Sequence, residues 1–149
     1  MYPMILGSHN LIRWAAFILT IVAAARAWQG WRNNRPWTRQ DRRIGSYLTI
    51  AMDIQLLLGL ALYFLLSPLT RSAAQNVIQG AGAPVGFFSL EHPLGMLLAV
   101  VFAHLGNMQP RRALKDKLKH RQAAIWFTLA FLLLVVLIPW NRPLFPWFG

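Results

Sequence analysis

The sequence predicts an all-α integral-membrane protein, an up-down-up-down bundle of four helices with both termini on the periplasmic side. Two features of the composition predict this class: only four of the 149 residues are acidic, and 56% are hydrophobic, in line with the mean hydropathy of +0.42; neither is usual for a soluble domain. The third is that the apolar residues form four runs, each close to the ~20 residues that a helix needs to cross a bilayer.

These runs set the predicted boundaries. The helices occupy residues 9–29, 45–67, 89–108 and 121–140. Basic cytoplasmic loops at residues 30–44 and 109–120 and a periplasmic loop at residues 68–88 connect them, so that residues 1–149 form a single transmembrane domain. Adjacent helices in such a bundle run antiparallel.

The first predicted helix begins with two polar residues, His9 and Arg13, which lie one turn apart on the same face. A secretory signal peptide has positive charges before its apolar run, whereas Met1 to Asn10 contains none and the arginines follow the run. We therefore expect this helix to be retained as a membrane span.

The second helix contains Asp53 and Gln55, about two turns from its basic end. Residues 72–79 of the loop that follows are compatible with a short surface helix, and the glycines and proline of "GAGAPVG" interrupt regular structure after it. We expect no chemistry in this loop.

The third helix opens with Glu91 and His92 and contains His104 about one turn before its other end. Because the residue before a proline disfavours helical backbone, and Pro93 follows His92, we expect His92 to cap the helix from slightly outside it. The fourth helix is opened by His120 and contains no charged side chain between positions 123 and 140, which makes it the clearest span.

Basic residues near the 30–44 and 109–120 loops decide the predicted orientation. Loops rich in lysine and arginine stay in the cytoplasm, which predicts a multi-pass protein of the bacterial cytoplasmic (inner) membrane. The net charge of +11 is then explained by contacts with anionic membrane lipids, and not by nucleic-acid binding. The residues concerned are Arg26, Arg32, Arg35, Arg39, Arg42, Arg43, Arg111, Arg112, Lys115, Lys117, Lys119 and Arg121.

The four histidines fall at two depths when the helical rise is counted from the ends of the spans. His9 and His92 lie near the periplasmic side, and His104 and His120 lie nearer the cytoplasmic side. Two imidazoles that face each other across an iron atom can be the axial ligands of haem b. The pattern therefore indicates one haem b between His9 and His92, and allows a second between His104 and His120.

The surroundings suit this hypothesis. Arg13 and Arg71 are available for the haem propionates, and several apolar side chains are available for its ring. Without cysteine, the chain has no disulfide, no iron–sulfur cluster and no covalently attached haem. The candidate ring contacts are Trp14, Phe87, Phe88 and Met96.

Each polar residue also has a plainer interpretation. His9 and His92 could face head groups and water, and His120 in "KLKHRQ" could be a solvated member of a basic run. Arg13 needs a partner inside the membrane, for which Glu91 is the candidate in an ion pair.

The deepest carboxylate, Asp53, has alternatives of its own. A hydrogen bond to His104 would reduce its cost of burial, as would protonation. It could equally serve a proton path.

Motifs along the chain carry a resemblance to a known group of proteins. With "SHNLIRW", "DIQLLLGLALYFLLSP", "LEHPLGMLLAVVFAHLG", "KHRQAAIWF" and "IPWNRPLF" in that order, the sequence resembles a small family of four-helix bacterial membrane proteins commonly labelled cytochrome b-like. The resemblance covers almost the whole chain and implies bound haem b. It points to His9 and Arg13, to residues 53–55, to Glu91 and His92, and to His120.

One position departs from that family. A histidine often stands where this chain has Asp53, which speaks against a haem ligand from the second helix and leaves His9 with His92 intact.

The function predicted from these observations is electron transfer by a membrane-embedded b-type cytochrome, between quinone and a partner of a respiratory or photosynthetic chain, with other subunits of such a complex as partners. The sequence contains no nucleophile paired with a base, no set of three metal ligands and no phosphate-binding loop. Nothing in it therefore indicates a stand-alone enzyme. The alternative is a cofactor-free structural or assembly subunit. A proton relay through Asp53, His104 and Glu91 is a third hypothesis, which the lack of repeated, broken helices disfavours.

Overall fold

The structure is a computed structural model that describes residues 1–79 and 86–140, and over these residues it is helical as predicted. Two π-helical turns, Leu62–Leu66 and Phe87–Glu91, follow α2 and precede α4. Residues 80–85 of the predicted loop and the C-terminal residues 141–149 lie outside the described part. The helices are α1 (Tyr2–Arg32), α2 (Arg39–Ala61), α3 (Pro68–Ile78), α4 (His92–Arg112) and α5 (Asp116–Leu137).

Four segments of the described chain are long and apolar enough to cross a membrane. They correspond to the four predicted spans, while the short α3 lies in the predicted 68–88 loop. Its start at Pro68, before the anticipated residue 72, fits the preference of proline for the first turn of a helix. The segments are Tyr2–Arg32, Arg39–Leu66, Phe87–Arg112 and Asp116–Leu137.

α1 begins at Tyr2, seven residues before the predicted start at His9, so His9 lies inside the helix and does not open it. At the other end of the bundle the helices extend beyond the apolar runs, so the predicted basic loops are too long. Residues 33–38 and 113–115 remain as connections in place of 30–44 and 109–120. Hydropathy reports only the part of a helix inside the hydrocarbon, and arginine and lysine are good helix formers outside it. We call this end the basic end and the opposite one the distal end.

The bundle is packed along stripes in which buried residues alternate at spacings of three and four. This repeat, close to the ~3.5 residues of a coiled coil, keeps one face of each helix towards its neighbours. Because most residues in the α1 stripe are small, the backbones approach closely, as is usual for membrane helices. The stripe of α1 is Arg13, Ala16, Thr20, Ala23, Ala27 and Gly30, and that of α5 is His120, Ala123, Phe127, Ala130, Leu134 and Leu137.

A hydrogen bond between side chains joins α1 to α5 and gives a first prediction. Trp28 Nε1 donates to Thr128 Oγ1 at 2.9 Å, so we expect Thr128→Val to lower the free energy of unfolding by about 0.5–1.5 kcal/mol. Thr20→Val is the control, because Thr20 Oγ1 donates only to the Ala16 carbonyl of its own helix, at 2.6 Å. Denaturant unfolding in one detergent measures both variants. Equal losses of unfolding free energy would contradict a stabilising role for the hydrogen bond between Trp28 and Thr128.

Candidate functional site

Four polar side chains meet towards the distal end, and we call them the distal cluster: His9 and Arg13 of α1, Gln55 of α2 and His92 of α4. Their positions continue the buried stripes, since His9 precedes Arg13 by four residues and Gln55 follows the buried Met52 by three. These polar groups are therefore directed into the bundle and away from lipid.

The His9 imidazole is held between α1 and α2. Gln55 Nε2 donates to His9 Nε2 at 3.2 Å, and the ring edge faces Gly59, where an added Cβ would lie 3.4 Å from His9 Cε1. His9 Nδ1 and Gln55 Oε1 are buried and find no hydrogen-bond partner within the described part of the chain. Buried polar atoms of this kind are rare, and they make His9 a candidate for ligand binding.

The His92 imidazole is fixed by the end of α5. Its Nδ1 donates to the carbonyl oxygen of Leu137 at 2.8 Å, one of the carbonyls that the last turn of α5 leaves without a helical partner. With the proton on Nδ1, the lone pair of Nε2 is available to a ligand. The rings of Phe87 and Phe88 lie 5.6 and 5.9 Å from that of His92.

The backbone at His92 differs from the prediction. His92 has helical dihedral angles (φ −62°, ψ −51°), so it does not cap α4 from outside. The π-helical turn Phe87–Glu91 precedes it, closed by the bond from the His92 backbone N–H to the Phe87 carbonyl. This turn and the one at Leu62–Leu66 are connected, because the Tyr63 hydroxyl donates to the Ser89 carbonyl at 2.8 Å.

The distal cluster also contains a buried arginine, Arg13. Both Arg13 and His92 are close enough to His9 to interact with it electrostatically. Glu91 is exposed, and the ion pairs formed by residues 1–79 and 86–140 include none between Arg13 and Glu91, contrary to the expected pair. The cluster thus combines two imidazoles with a guanidinium, a combination suited to anionic groups.

Asp53 and His104 form the hydrogen bond anticipated from their matched depth. His104 Nε2 lies 2.8 Å from Asp53 Oδ1. The pair does not face the interior, because the side chains of His104 and Asp53 are 40% and 48% exposed on the outer surface of the bundle. The His104 side chain is therefore directed towards α2 and the outer surface of the bundle.

His120 is buried and not solvated, so its interpretation as a member of a basic run is wrong. Its exposure is 0%, its ring lies 4.8 Å from that of Trp37, and its Nε2 lies 3.5 Å from the Pro36 carbonyl oxygen. A Cβ added at Gly30 would overlap the ring. The structure thus directs His104 and His120 to different neighbours, His104 to Asp53 of α2 and His120 to Trp37 and the Pro36 carbonyl.

Asp41 is a buried acid that sequence reasoning missed. It accepts from Arg26 Nη2 at 2.9 Å and from the Thr38 backbone N–H at 2.9 Å, while Thr38 Oγ1 accepts from the Asp41 N–H at 3.3 Å. Thr38-x-x-Asp41 before an apolar run is the sequence signal of a capping box, and it could have located the start of α2.

No protein-family model, curated protein or solved structure matches this chain. Among the side chains of the described ranges, no group of three or more His, Cys, Asp or Glu could hold a metal ion. Neither result tests a haem held by two histidines, so this site and the resemblance to the cytochrome b-like family stay predictions.

Proposed function

We propose that the protein is a membrane-embedded b-type cytochrome that carries electrons between quinone and a partner of a respiratory or photosynthetic chain, with haem b bound in the distal cluster. The observation that supports this function is the meeting of two partly buried imidazoles, from α1 and α4, each with a nitrogen that no hydrogen bond among the described residues uses. When bound, haem supplies one-electron transfer.

His92 has the features of a histidine that would hold the haem iron. Its Nδ1–H donates to the Leu137 carbonyl, which fixes the ring and increases the basicity of Nε2, as is usual for histidines that bind metals. Phe87 and Phe88 supply an apolar wall beside it. The guanidinium of Arg13 is the positive charge that would attract a propionate.

His9 fits this role in part. Its Nε2 accepts from Gln55, so Nδ1 is the nitrogen without a partner. Ligation through Nε2 requires Gln55 to turn away from the imidazole. Gly59 has no side chain against the ring edge and leaves the imidazole room to adjust.

Visible spectra of alanine variants test this proposal. We expect the purified wild type to show the reduced-minus-oxidised difference spectrum of b haem, and His9→Ala and His92→Ala to lose it, because each removes an axial ligand. His104→Ala is the matched control and should keep the spectrum, since His104 is bonded to Asp53 at the surface. Gln55→Leu should also bind haem, because it frees His9 Nε2.

Haem titration of the detergent-solubilised protein provides the decisive contrast. A wild type that keeps its helical circular dichroism yet binds no haem would overturn the proposal and favour the cofactor-free structural subunit. Loss of the spectrum in His104→Ala alone would overturn the assignment of the ligands to the distal cluster.

A further inference from the structure

The bonded pair of Asp53 and His104 lies on the outer surface of the bundle, deep within two membrane-spanning segments. Asp53 follows the exposed Arg43 by ten residues on α2, about 15 Å along a helix. Because a charged arginine marks the water side of the boundary, this distance places the pair inside a bilayer core of about 30 Å, in the half nearer the basic end. Polar groups at this depth are rare and are retained for a function.

The pair is surrounded by apolar side chains that also face outwards. One turn from Asp53 on α2 are the exposed Ile50 and Leu57, and one turn from His104 on α4 are the exposed Val101 and Met108. We call the surface formed by these six residues the polar-centred face. Lipid tails can satisfy its apolar border but not the polar atoms at its centre.

The two helices of this face run antiparallel and hold the pair at a single depth. Hydrogen bonds between α4 and α2 join Arg111 to Ser46 and Asn107 to Thr49. The residue numbers of the bonded partners therefore decrease along α4 as they increase along α2. The bond between Asp53 and His104 continues this series. An acid and a base therefore lie side by side at one level in the membrane.

We propose that the polar-centred face is the interface of a homodimer whose two-fold axis is parallel to the membrane normal. Two copies inserted with the same orientation can be related by such an axis. A half-turn about it preserves depth and exchanges left and right, so Asp53 faces the partner's His104 and His104 faces the partner's Asp53. The face is thus complementary to a copy of itself, because each acid lies opposite a base.

This inference does not depend on haem, because it uses no residue of the distal cluster. The dimer surrounds each carboxylate with two imidazoles and each imidazole with two carboxylates, while the apolar borders pack against each other. Hydrogen bonds between side chains of different helices are a known source of association in membranes.

Exchanging the charges tests the complementarity between copies. Asp53→His gives a copy with two bases on the face, and His104→Asp gives a copy with two acids. We expect each variant alone to dimerise about ten- to thirtyfold more weakly than the wild type. Because each base then faces an acid, we expect an equimolar mixture of the two to regain association as a heterodimer.

The measurement is energy transfer between labelled copies in liposomes over a range of protein-to-lipid ratios. A wild type that is monomeric throughout overturns the proposal, as does a mixture that associates no better than the separate variants. Association of the wild type only with a different membrane protein would also overturn it.

Cross-linking tests the same face without altering the pair. The sequence has no cysteine, so a single introduced cysteine reacts alone. With a short bis-maleimide, Leu57→Cys should give covalent dimers, whereas Val136→Cys, equally exposed but on α5, should not. Equal yields for the two, or no dimer from Leu57→Cys, would refute the interface even if the charge-exchanged variants fail to fold.

Discussion

Replacing Asp41 with alanine should lower the free energy of unfolding by about 2–4 kcal/mol, because the change removes the Asp41 half of the capping box of α2 and leaves a buried ion pair incomplete. The Asp41 side chain is 4% exposed and lies 2.9 Å from Arg26 and 3.8 Å from Arg35. It also completes the capping box with Thr38. One carboxylate thus connects the last part of α1, the connection after it and the first turn of α2.

Asp116→Ala is the matched control for this prediction. Asp116 is also paired in the first turn of a helix, with Lys119 at 2.8 Å, but its side chain is 42% exposed, and exposed pairs contribute little to stability. Thermal unfolding followed by circular dichroism in one detergent compares the two. A loss for Asp41→Ala no greater than that for Asp116→Ala would show that the cluster around Asp41 does not hold the basic end together.

The Gly30→Ala variant should be destabilised by about 1–3 kcal/mol through overpacking. The added methyl group would overlap the His120 ring at Cε1. The ring cannot move aside easily, because it is fully buried and in contact with Trp37.

A double-mutant cycle separates this clash from other effects of the substitution. When His120→Ala is already present, the same Gly30→Ala change should be neutral or slightly stabilising, because alanine favours helix more than glycine does. Denaturant unfolding of the four proteins gives the coupling. Equal effects of Gly30→Ala with and without His120 would contradict the close packing of the two residues.

The sequence predicted how deep each polar side chain lies in the membrane better than it predicted which way that side chain points. Counting along the helices placed Asp53 at the level of His104, and the two are hydrogen-bonded. Rise per residue is nearly constant in an α-helix, so depth follows from counting alone. The direction of a side chain depends on which face of its helix packs inwards, and here the prediction failed for His120, which is buried where solvent was expected.

The spacing of small residues carried the missing information. Gly30, Ala27, Ala23 and further residues towards the start of α1 define a stripe at spacings of three and four, and His9 continues it. Asp53 and His104 each lie one position beyond a buried stripe residue, Met52 and Ala103. A search for this repeat would have separated inward-facing from outward-facing polar residues.

The two π-helical turns have a consequence for how chain length can vary. In each turn one backbone bond spans five residues, from Ser67 to Leu62 and from His92 to Phe87, one residue more than in an α-helix. We expect the deletion of one residue in either turn to restore ordinary helical geometry and to leave the buried stripes of α2 and α4 facing the core. The same deletion in the middle of α5 would rotate every later side chain by about 100° and remove its stripe from the core.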